Sequence, residues 1–221
     1  MNAEKSFYKR YWSDEHIKVN PFDYHPGKWT EENFKFHLDF FKPFVSGTIL
    51  DFGCGQGDFT YMLSKHCNPV YGIDCSDIAI SKAKIDYPEI NFQLLLESDK
   101  LPYDDVSFDS VFMVDVLEHI LDTETLLEEL NRVLKPGGHL LISTSQLTRL
   151  KLFGIALISF NQYFYPTSPH IRYFTRNSLD DLLKQKGFEA IRYKKNRTSF
   201  GFIPQGQMIV ASKIGNKKNT K

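Results

Sequence analysis

The 221-residue sequence has little cysteine, no long apolar run and no excess of charge of either sign. Its three cysteines are an odd number without the spacing of a metal site, which is typical of a reduced, intracellular protein. The most apolar stretch, residues 150–160, falls well short of the roughly 20 residues that span a bilayer. The start, MNAEKSFYKRYW, has no apolar run behind its charges and does not read as a secretory signal. We therefore expect a cytoplasmic protein without an integral membrane segment.

The charges balance, with 27 basic and 27 acidic side chains. This balance argues against a polyanionic partner over the whole surface and against a long nucleic-acid footprint. The exception is the polar, basic tail over residues 213–221, which we expect to be disordered. The length and the hydrophobic content of 42% suit one globular domain with its own core, which we place at residues 1–212.

Between these ends, short apolar runs alternate with helical patterns. Near-continuous apolar strands that alternate with helices indicate a parallel sheet buried on both faces. We predict one doubly wound, Rossmann-like α/β domain with a mostly parallel sheet of seven strands, the last of them antiparallel. Residues 1–44 would form an N-terminal helical cap, and residues 147–170 an insertion. The predicted strands are residues 48–52, 69–74, 90–96, 107–116, 139–145, 188–195 and 206–214, and the predicted helices are residues 30–44, 58–66, 76–87, 124–134 and 178–187.

The stretch ILDFGCGQGDFT, residues 49–60, places three glycines where a predicted strand turns into a helix. Glycine permits positive φ and lets a ligand approach backbone amides without a Cβ in the way. Asp74 ends the next predicted strand, where an acid in doubly wound folds accepts hydrogen bonds from ribose hydroxyls. Together these features predict a nucleoside site at the point where the strand order reverses.

The spacing of this loop distinguishes between nucleoside ligands. A dinucleotide fingerprint reads G-x-G-x-x-G and faces a pyrophosphate, whereas this loop reads G-x-G-x-G between Asp51 and Asp58. Two carboxylates repel a pyrophosphate but attract a ligand that carries an amine cation and a sulfonium. The charges therefore favour S-adenosylmethionine over NAD and make a nicotinamide-dependent dehydrogenase the weaker alternative.

These residues resemble the class I S-adenosylmethionine-dependent methyltransferases. The similarity extends over roughly residues 46–192 and includes the ubiquinone-biosynthesis-like and glycan-associated branches in its C-terminal part. Several motifs carry it in the expected order. They are DFGCGQG at residues 51–57, GID ending at Asp74, LPY followed by SFD and VDVLEH, LNRVLKPGGHLLIST, and HIRYFTRNSLDDLLKQKGF.

The resemblance implies where the methyl donor binds. Gly53 and Gly55 would line its methionine moiety, Asp51 would lie near its amino group, and Asp74 would hold the ribose hydroxyls. Cys75 would flank Asp74 together with the serine that follows it. The full set of implied donor contacts is Asp51, Gly53, Cys54, Gly55, Asp74, Cys75, Glu97, Ser98 and Asp115.

An acid that contacts adenine is also implied, four residues before the Leu-Pro-aromatic triplet. Glu97 occupies this position, although the family pattern has Asp there and Gly before it, and Asp99 is the alternative. Aromatic residues near the N-terminus, Tyr8, Tyr11 and Trp12, either close over the donor or serve only for packing.

The segment VDVLEHI is the predicted place of the chemistry. Asp115, Glu118 and His119 stand at i, i+3 and i+4, and they share one face if the chain turns helical after Val114. His170 enters from the insertion. These four side chains could hold Mg²⁺ or Mn²⁺, as in similar patterns of RNA 3′-terminal and ubiquinone-type methyltransferases. A metal-free base role for His119 or His170 and purely structural roles are the alternatives, and no residue is assigned to a metal.

The insertion over residues 147–170 is the predicted acceptor lid. Leu150, Phe153, Leu157 and Ile158 could form one helical stripe next to basic residues. Core packing is the simpler explanation of such a stripe, and a wall for an apolar or lipid-linked acceptor is the alternative.

We therefore predict a methyltransferase that acts on an oxygen, or a nitrogen, of a small-molecule or lipid- or glycan-linked acceptor. The sequence has no Asn-Pro-Pro-aromatic motif of the enzymes that methylate amino groups of DNA. Two alternatives stay open: an RNA-end 2′-O-methyltransferase with a divalent metal, and a non-catalytic module that binds S-adenosylmethionine. The second would need no polar cluster facing the methyl group.

Overall fold

The computed structural model describes residues 29–67, 69–95, 100–164, 170–199 and 203–214. Several sequence expectations lie outside the described residues. They concern Tyr8, Tyr11 and Trp12, the acids Glu97 and Asp99 with Ser98 between them, and the tail from residue 215 onward.

The described strands form one seven-stranded sheet in the order β3-β2-β1-β4-β5-β7-β6. Strands β1 to β5 are parallel, and β7 runs antiparallel between β5 and β6. The prediction of a doubly wound, mostly parallel sheet with an antiparallel last strand is confirmed. The strands are β1 Ile49–Phe52, β2 Val70–Asp74, β3 Asn91–Leu94, β4 Phe108–Val114, β5 Leu134–Ser145, β6 Phe188–Ser199 and β7 Ile203–Lys213.

Several of the described helices begin at side chains that accept backbone N–H groups, as their sequences indicate. Thr30, Ser76, Asp122 and Thr175 each cap a first turn in this way. The helices are α1 Glu31–Phe41, α2 Asp58–Ser64, α3 Asp77–Asp86, α4 Thr123–Val133, α5 Arg149–Gly154, α6 Phe160–Tyr163 and α7 Arg176–Gln185; a π-helical turn, Ile155–Ser159, joins α5 to α6, and 3₁₀ turns cover Lys42–Phe44 and Leu117–His119.

Helices cover both faces of the sheet, which explains why its strands are nearly continuous apolar runs. Neighbouring residues Ile49 and Leu50 of β1 belong to opposite layers of the core. On one side α1 buries Phe34 and Phe41 against β1, β4, β5 and β7. On the other side α4 and α7 pack through leucines such as Leu130. The order of the strands reverses between β1 and β4, so the carboxyl ends of these two strands border a crevice.

The structure differs from the sequence expectations at several element ends. Strand β4 stops at Val114 because Asp115 adopts a positive φ of 54°. Residues 135–138, between the predicted helix 124–134 and the predicted strand 139–145, lie inside β5, which starts directly after α4 and pairs with β4 across a register shift. Lys213 belongs to β7, and its ammonium donates to two backbone carbonyls, so the tail begins later than predicted. No described helix is long and apolar enough to cross a bilayer.

Candidate active site

The glycine loop between β1 and α2 lies at the crevice where the strand order reverses. Gly53, Gly55 and Gly57 all adopt positive φ, at 77°, 54° and 86°. A Cβ on Gly53 would lie 2.5 Å from Cγ2 of Val116, which follows β4. Only glycine therefore lets the loop lie against the end of β4, and the loop and the segment after β4 form one surface.

Asp74 lies at the end of β2, where the sequence predicted it, and its carboxylate binds the glycine loop. Its Oδ2 accepts a hydrogen bond from the Gly55 amide, and its Oδ1 accepts one from the Ser76 amide, both at 2.9 Å. Burial raises the pKa of Asp74, and these amides lower it. The amide and the thiol of Cys75 also donate hydrogen bonds to this carboxylate. The loop and Asp74 are thus held together in the arrangement that a nucleoside site requires.

The two acids that flank the loop have different environments. Asp51 is 3% exposed, and its Oδ2 accepts a hydrogen bond from the Thr60 hydroxyl at 2.6 Å. Burial, with a smaller contribution from Asp74, raises the pKa of Asp51 to about 7. Asp58 instead accepts a hydrogen bond from the Tyr87 hydroxyl at 2.6 Å. The two carboxylates are thus held by different partners, Asp51 by α2 and Asp58 by the tyrosine that follows α3.

The buried Asp51 predicts a pH-dependent stability. The folded protein keeps the proton of this carboxyl up to about pH 7, whereas the unfolded chain loses it near pH 4. The fold is therefore favoured at low pH, and this contribution is lost as the pH rises from about 4 to 7. We expect Asp51→Asn to stabilise the ligand-free protein by an amount that grows by about 2 kcal/mol between pH 5 and pH 8.

Urea unfolding of the wild type and the variant at both pH values measures this difference. The exposed residue Asp39 supplies the control, since Asp39→Asn should leave the pH profile unchanged. If Asp51→Asn raised the free energy of unfolding equally at pH 5 and pH 8, Asp51 would be ionised throughout this range.

The predicted cysteine contacts lie beside this loop. Cys54 is 7% exposed, and a Cβ on Gly72 of β2 would lie 3.0 Å from its Sγ. Burial, together with the carboxylates of Asp74 and Asp51, raises the pKa of the Cys54 thiol well above its usual range. Cys54 is thus a neutral thiol that packs under the loop. Cys75 is partly exposed after the end of β2.

The segment after β4 does not form the helical face that the sequence predicted. The positive φ of Asp115 prevents a continuous helix, and a single 3₁₀ turn, Leu117–His119, follows. The Asp115 amide donates to the Ser143 carbonyl at 2.8 Å, and its Oδ1 accepts from the Ser143 hydroxyl at 3.2 Å. Asp115 is therefore bound to the end of β5 and does not share a face with the next two polar residues.

Glu118 is 1% exposed, and β5 holds its carboxylate from two sides. Its Oε1 accepts from the Ser145 amide at 3.0 Å, and its Oε2 accepts from the Thr144 hydroxyl at 2.8 Å. Burial raises the pKa of Glu118, the nearby His119 lowers it, and Asp115 raises it. A carboxylate held in this way orients its neighbours and is accessible to solvent only to a small extent.

His170 lies beside His119 because the backbone that follows His170 is hydrogen-bonded to the backbone of the residue before His119. The Ile171 and Arg172 amides both donate to the Glu118 carbonyl at 3.1 Å. The Arg172 guanidinium also donates to the carbonyls of the two residues that follow His119. As a result, the His119 and His170 rings lie with their centroids 4.8 Å apart.

Three of the four predicted polar residues therefore meet in one cluster. Potential ligand atoms of Glu118, His119 and His170 all lie within 4.8 Å of one another, and this group does not include Asp115. Burial, with smaller contributions from His119 and Lys151, lowers the pKa of His170 to about 3. His170 is thus a neutral imidazole, which suits a hydrogen-bond partner or a metal ligand better than a proton acceptor.

The predicted lid is helical from Arg149 to Tyr163. The expectation that the apolar stripe packs into the core is wrong, because these side chains face away from the core. The exposed fractions are 50% for Leu150, 63% for Phe153, 69% for Leu157 and 82% for Ile158. Lys151, expected at the edge of the stripe, is 8% exposed and donates to the Gln146 carbonyl at 3.2 Å.

Sequence reasoning missed one polar group near this site. His37 of α1 and Asn196 of β6 are 1% and 2% exposed, and both lie within 3.3 Å of the Ser143 hydroxyl. The signal was available for His37, since it stands on the apolar face of α1 between Phe34 and Phe41. A polar ring on such a face requires a buried partner.

Comparison with known proteins agrees with this arrangement. A family model described as a methyltransferase domain matches residues 27–193. The ubiquinone biosynthesis O-methyltransferase of Hydrogenovibrio crunogenus is 25% identical over 190 residues, which are 77% of this chain and 78% of that protein. The demethylmenaquinone methyltransferase of Lactococcus lactis is 30% identical over 175 residues, with 67% and 68% covered.

The solved structures agree on the fold. Geranyl diphosphate C-methyltransferase from Streptomyces coelicolor A3(2) superposes with a TM-score of 0.69 at 13% identity, covering 96% of this chain and 99% of that one. The family match extends over most of the chain, and its relatives are methyltransferases, which sets the non-catalytic alternative aside. The crevice, the glycine loop and Asp74 fit the methyl donor of this family. The chain belongs to the class I S-adenosylmethionine-dependent methyltransferases.

Proposed function

We propose that this enzyme transfers a methyl group to a hydroxyl oxygen of a small acceptor that has an apolar body. The observation that carries this proposal is the pair of imidazoles, His119 and His170, held beside the buried Glu118. An acceptor hydroxyl must lose a proton during methylation, and an imidazole is the side chain best suited to take it near neutral pH.

The donor side of the proposal uses the residues around the glycine loop. S-adenosylmethionine supplies a methyl group that is already activated on a sulfonium. Asp74 would accept hydrogen bonds from the ribose hydroxyls. Asp51 would ionise beside the donor amine, because a cation there offsets the burial that raises its pKa. Gly53 and Gly55 would line the methionine part of the donor.

On the acceptor side, His119 would take the hydroxyl proton. His170, a neutral imidazole because its burial lowers its pKa, would stay uncharged and fix the position of the neighbouring ring. Glu118 would stabilise the imidazolium that forms on His119, since these two groups already attract each other electrostatically. The enzyme thereby aligns the oxygen and removes its proton, and such alignment alone supplies several kcal/mol of the barrier reduction.

The exposed apolar stripe supports an acceptor with an apolar body. Leu150, Phe153, Leu157 and Ile158 lie on the helical insertion that directly follows β5. Exposed large apolar side chains in such a group mark a surface that binds an apolar partner. Two of the relatives are named for ubiquinone biosynthesis and for demethylmenaquinone.

A divalent metal is the second candidate for activating the hydroxyl. Glu118, His119 and His170 would hold it, and one carboxylate with two imidazoles is a plausible ligand set for a first-row ion. Such an ion would lower the pKa of a bound hydroxyl. The same chemistry would serve an RNA-end 2′-O-methyltransferase, so the two acceptor classes need to be compared directly.

The test is methyl transfer from labelled S-adenosylmethionine to phenol, para-decylphenol, para-decylaniline and a short oligoribonucleotide. We expect the fastest transfer to para-decylphenol and none to the aniline nitrogen. Methylation of the aniline alone would contradict oxygen as the acceptor, and methylation of the RNA end alone would contradict a small acceptor. Chelator treatment followed by Mg²⁺ or Mn²⁺ separates the two activation modes, since a metal-free base leaves the rate unchanged.

A further inference from the structure

The helical insertion after β5 exposes most of its large apolar side chains. Lys151, Ile155 and Tyr163 are at most 8% exposed and attach the insertion to the rest of the fold. The other large apolar side chains between residues 150 and 160 are 42% to 82% exposed: Leu150, Leu152, Phe153, Leu157, Ile158 and Phe160. A group of this kind on a surface marks the place where an apolar partner binds.

Acidic residues are missing from this part of the sequence. No Asp or Glu occurs from residue 130 to residue 179, a stretch that contains the whole insertion. Residues 147–221 have 14 basic and 3 acidic side chains, whereas residues 1–146 have 13 basic and 24 acidic ones. The balanced overall charge therefore consists of two parts with formal net charges of −11 and +11. Such an asymmetry is typical of proteins that bind a membrane surface or a nucleic acid.

The fold brings basic side chains to the edge of the sheet from which the insertion projects. Lys195 of β6 and Thr144 of β5 pair with the same residue of β7, so Lys195 lies level with the end of β5. Arg149 begins the insertion itself, and both cations are exposed. Arg176 begins α7, shortly after a bridge to the residue that follows β5, and its guanidinium lies 3.9 Å from the Asp180 carboxylate. Basic side chains thus flank the exposed apolar ones at the carboxyl end of the sheet.

We propose that the insertion and these cations bind the surface of a bilayer that contains anionic lipids. The apolar side chains would enter the boundary between headgroups and acyl chains, while Arg149 and Lys195 contact the anionic headgroups. A nucleic acid would explain the cations but not the exposed aliphatic side chains, because bases stack on aromatic rings. A second copy of the chain in face-to-face contact would bring like charges together. The inference goes beyond the proposed function, since this binding needs no methyl transfer.

The experiment is sedimentation of the purified protein with vesicles of phosphatidylcholine alone and with vesicles that also contain phosphatidylglycerol, without donor or acceptor. We expect binding to the anionic vesicles to be about tenfold tighter or more, and to weaken as salt is added. Ile158→Ser should weaken this binding by about tenfold, since one apolar side chain no longer leaves water. Arg149→Gln and Lys195→Gln should each weaken it by about fivefold and leave binding to the neutral vesicles unchanged.

Matched control variants are available on α3. Ile85 is 77% exposed, and the residue before it, Lys84, is exposed as well. Because α3 connects the parallel strands β2 and β3, its C-terminal end lies at the opposite edge of the sheet from the insertion. Ile85→Ser and Lys84→Gln should therefore bind both kinds of vesicle like the wild type.

Equal affinity of the wild type for the two kinds of vesicle would overturn the inference, as would wild-type affinity of Ile158→Ser for the anionic ones. An oligoribonucleotide that displaces the anionic vesicles and binds Ile158→Ser as tightly as the wild type would overturn it in favour of a nucleic acid. A dimer that Ile158→Ser dissociates would overturn it in favour of a second copy. Vesicle binding without methyl transfer to any phenol would overturn the proposed reaction and leave this inference standing. Methyl transfer to para-decylphenol without vesicle binding would overturn this inference alone.

Discussion

Replacement of Asp74 by alanine is expected to weaken the binding of S-adenosylhomocysteine by about 100-fold or more, as the loss of two hydrogen bonds to a charged group implies. The carboxylate contributes in two ways. It holds the glycine loop through the Gly55 amide and the next helix through the Ser76 amide. In the proposed function it also accepts hydrogen bonds from the ribose hydroxyls. Titration calorimetry of the purified variant measures the change.

Two further variants separate binding from folding. Asp74→Asn keeps one acceptor oxygen for the loop and should lose less affinity than alanine. Asp86→Ala removes an exposed acid that pairs with Lys82 on the surface, and it should bind like the wild type. Circular dichroism shows whether each variant is folded. Wild-type affinity in a folded Asp74→Ala variant would exclude this residue from the donor site.

Replacement of His119 by asparagine is expected to lower the rate of methyl transfer to para-decylphenol by about 100-fold to 10,000-fold, the usual contribution of a general base. Donor affinity should stay unchanged, because His119 lies after β4 and not among the residues of the glycine loop. Single-turnover rates and titration with S-adenosylhomocysteine measure the two quantities separately. A rate equal to that of the wild type would assign His119 to packing.

His66→Asn is a suitable control, since His66 is exposed and stacks on Phe34 far along the chain from the polar cluster.

The His119→Asn variant also distinguishes a metal-free base from a metal as the group that activates the hydroxyl. With a metal-free base, the rate of His119→Asn rises when the pH is raised, because more acceptor is ionised in solution. With a metal, the variant instead loses its response to added Mg²⁺ or Mn²⁺.

The arrangement of the glycine loop and Asp74 was predictable because its signals are local. The three glycines, the strand before them and Asp74 at the end of the next strand lie within 26 residues of one another, from Ile49 to Asp74. Their geometry follows from the strand-loop-helix pattern, which brings the carboxyl ends of neighbouring parallel strands to one edge. The structure agrees, with positive φ at each glycine and the Gly55 amide bound to Asp74.

The arrangement of the polar cluster and of the helical insertion was predictable only in part. The sequence singled out Glu118, His119 and His170, but it also grouped Asp115 with them on the assumption of a continuous helix. The positive φ of Asp115 breaks that periodicity. The apolar stripe was assigned to the core by its spacing, yet spacing only states that Leu157 and Ile158 lie on a helix, not what that helix faces.

The sequence by itself determined the doubly wound sheet, the glycine loop and the acid that binds this loop, Asp74. Each of these features depends on residues close together in the chain. Only the tertiary structure decided which distant residues meet. His170 lies beside His119 because backbone hydrogen bonds join Ile171 and Arg172 to Glu118. Asn196 and His37 meet at Ser143 although 159 residues separate them. Such contacts depend on how whole elements pack, and no local pattern of side chains records that packing.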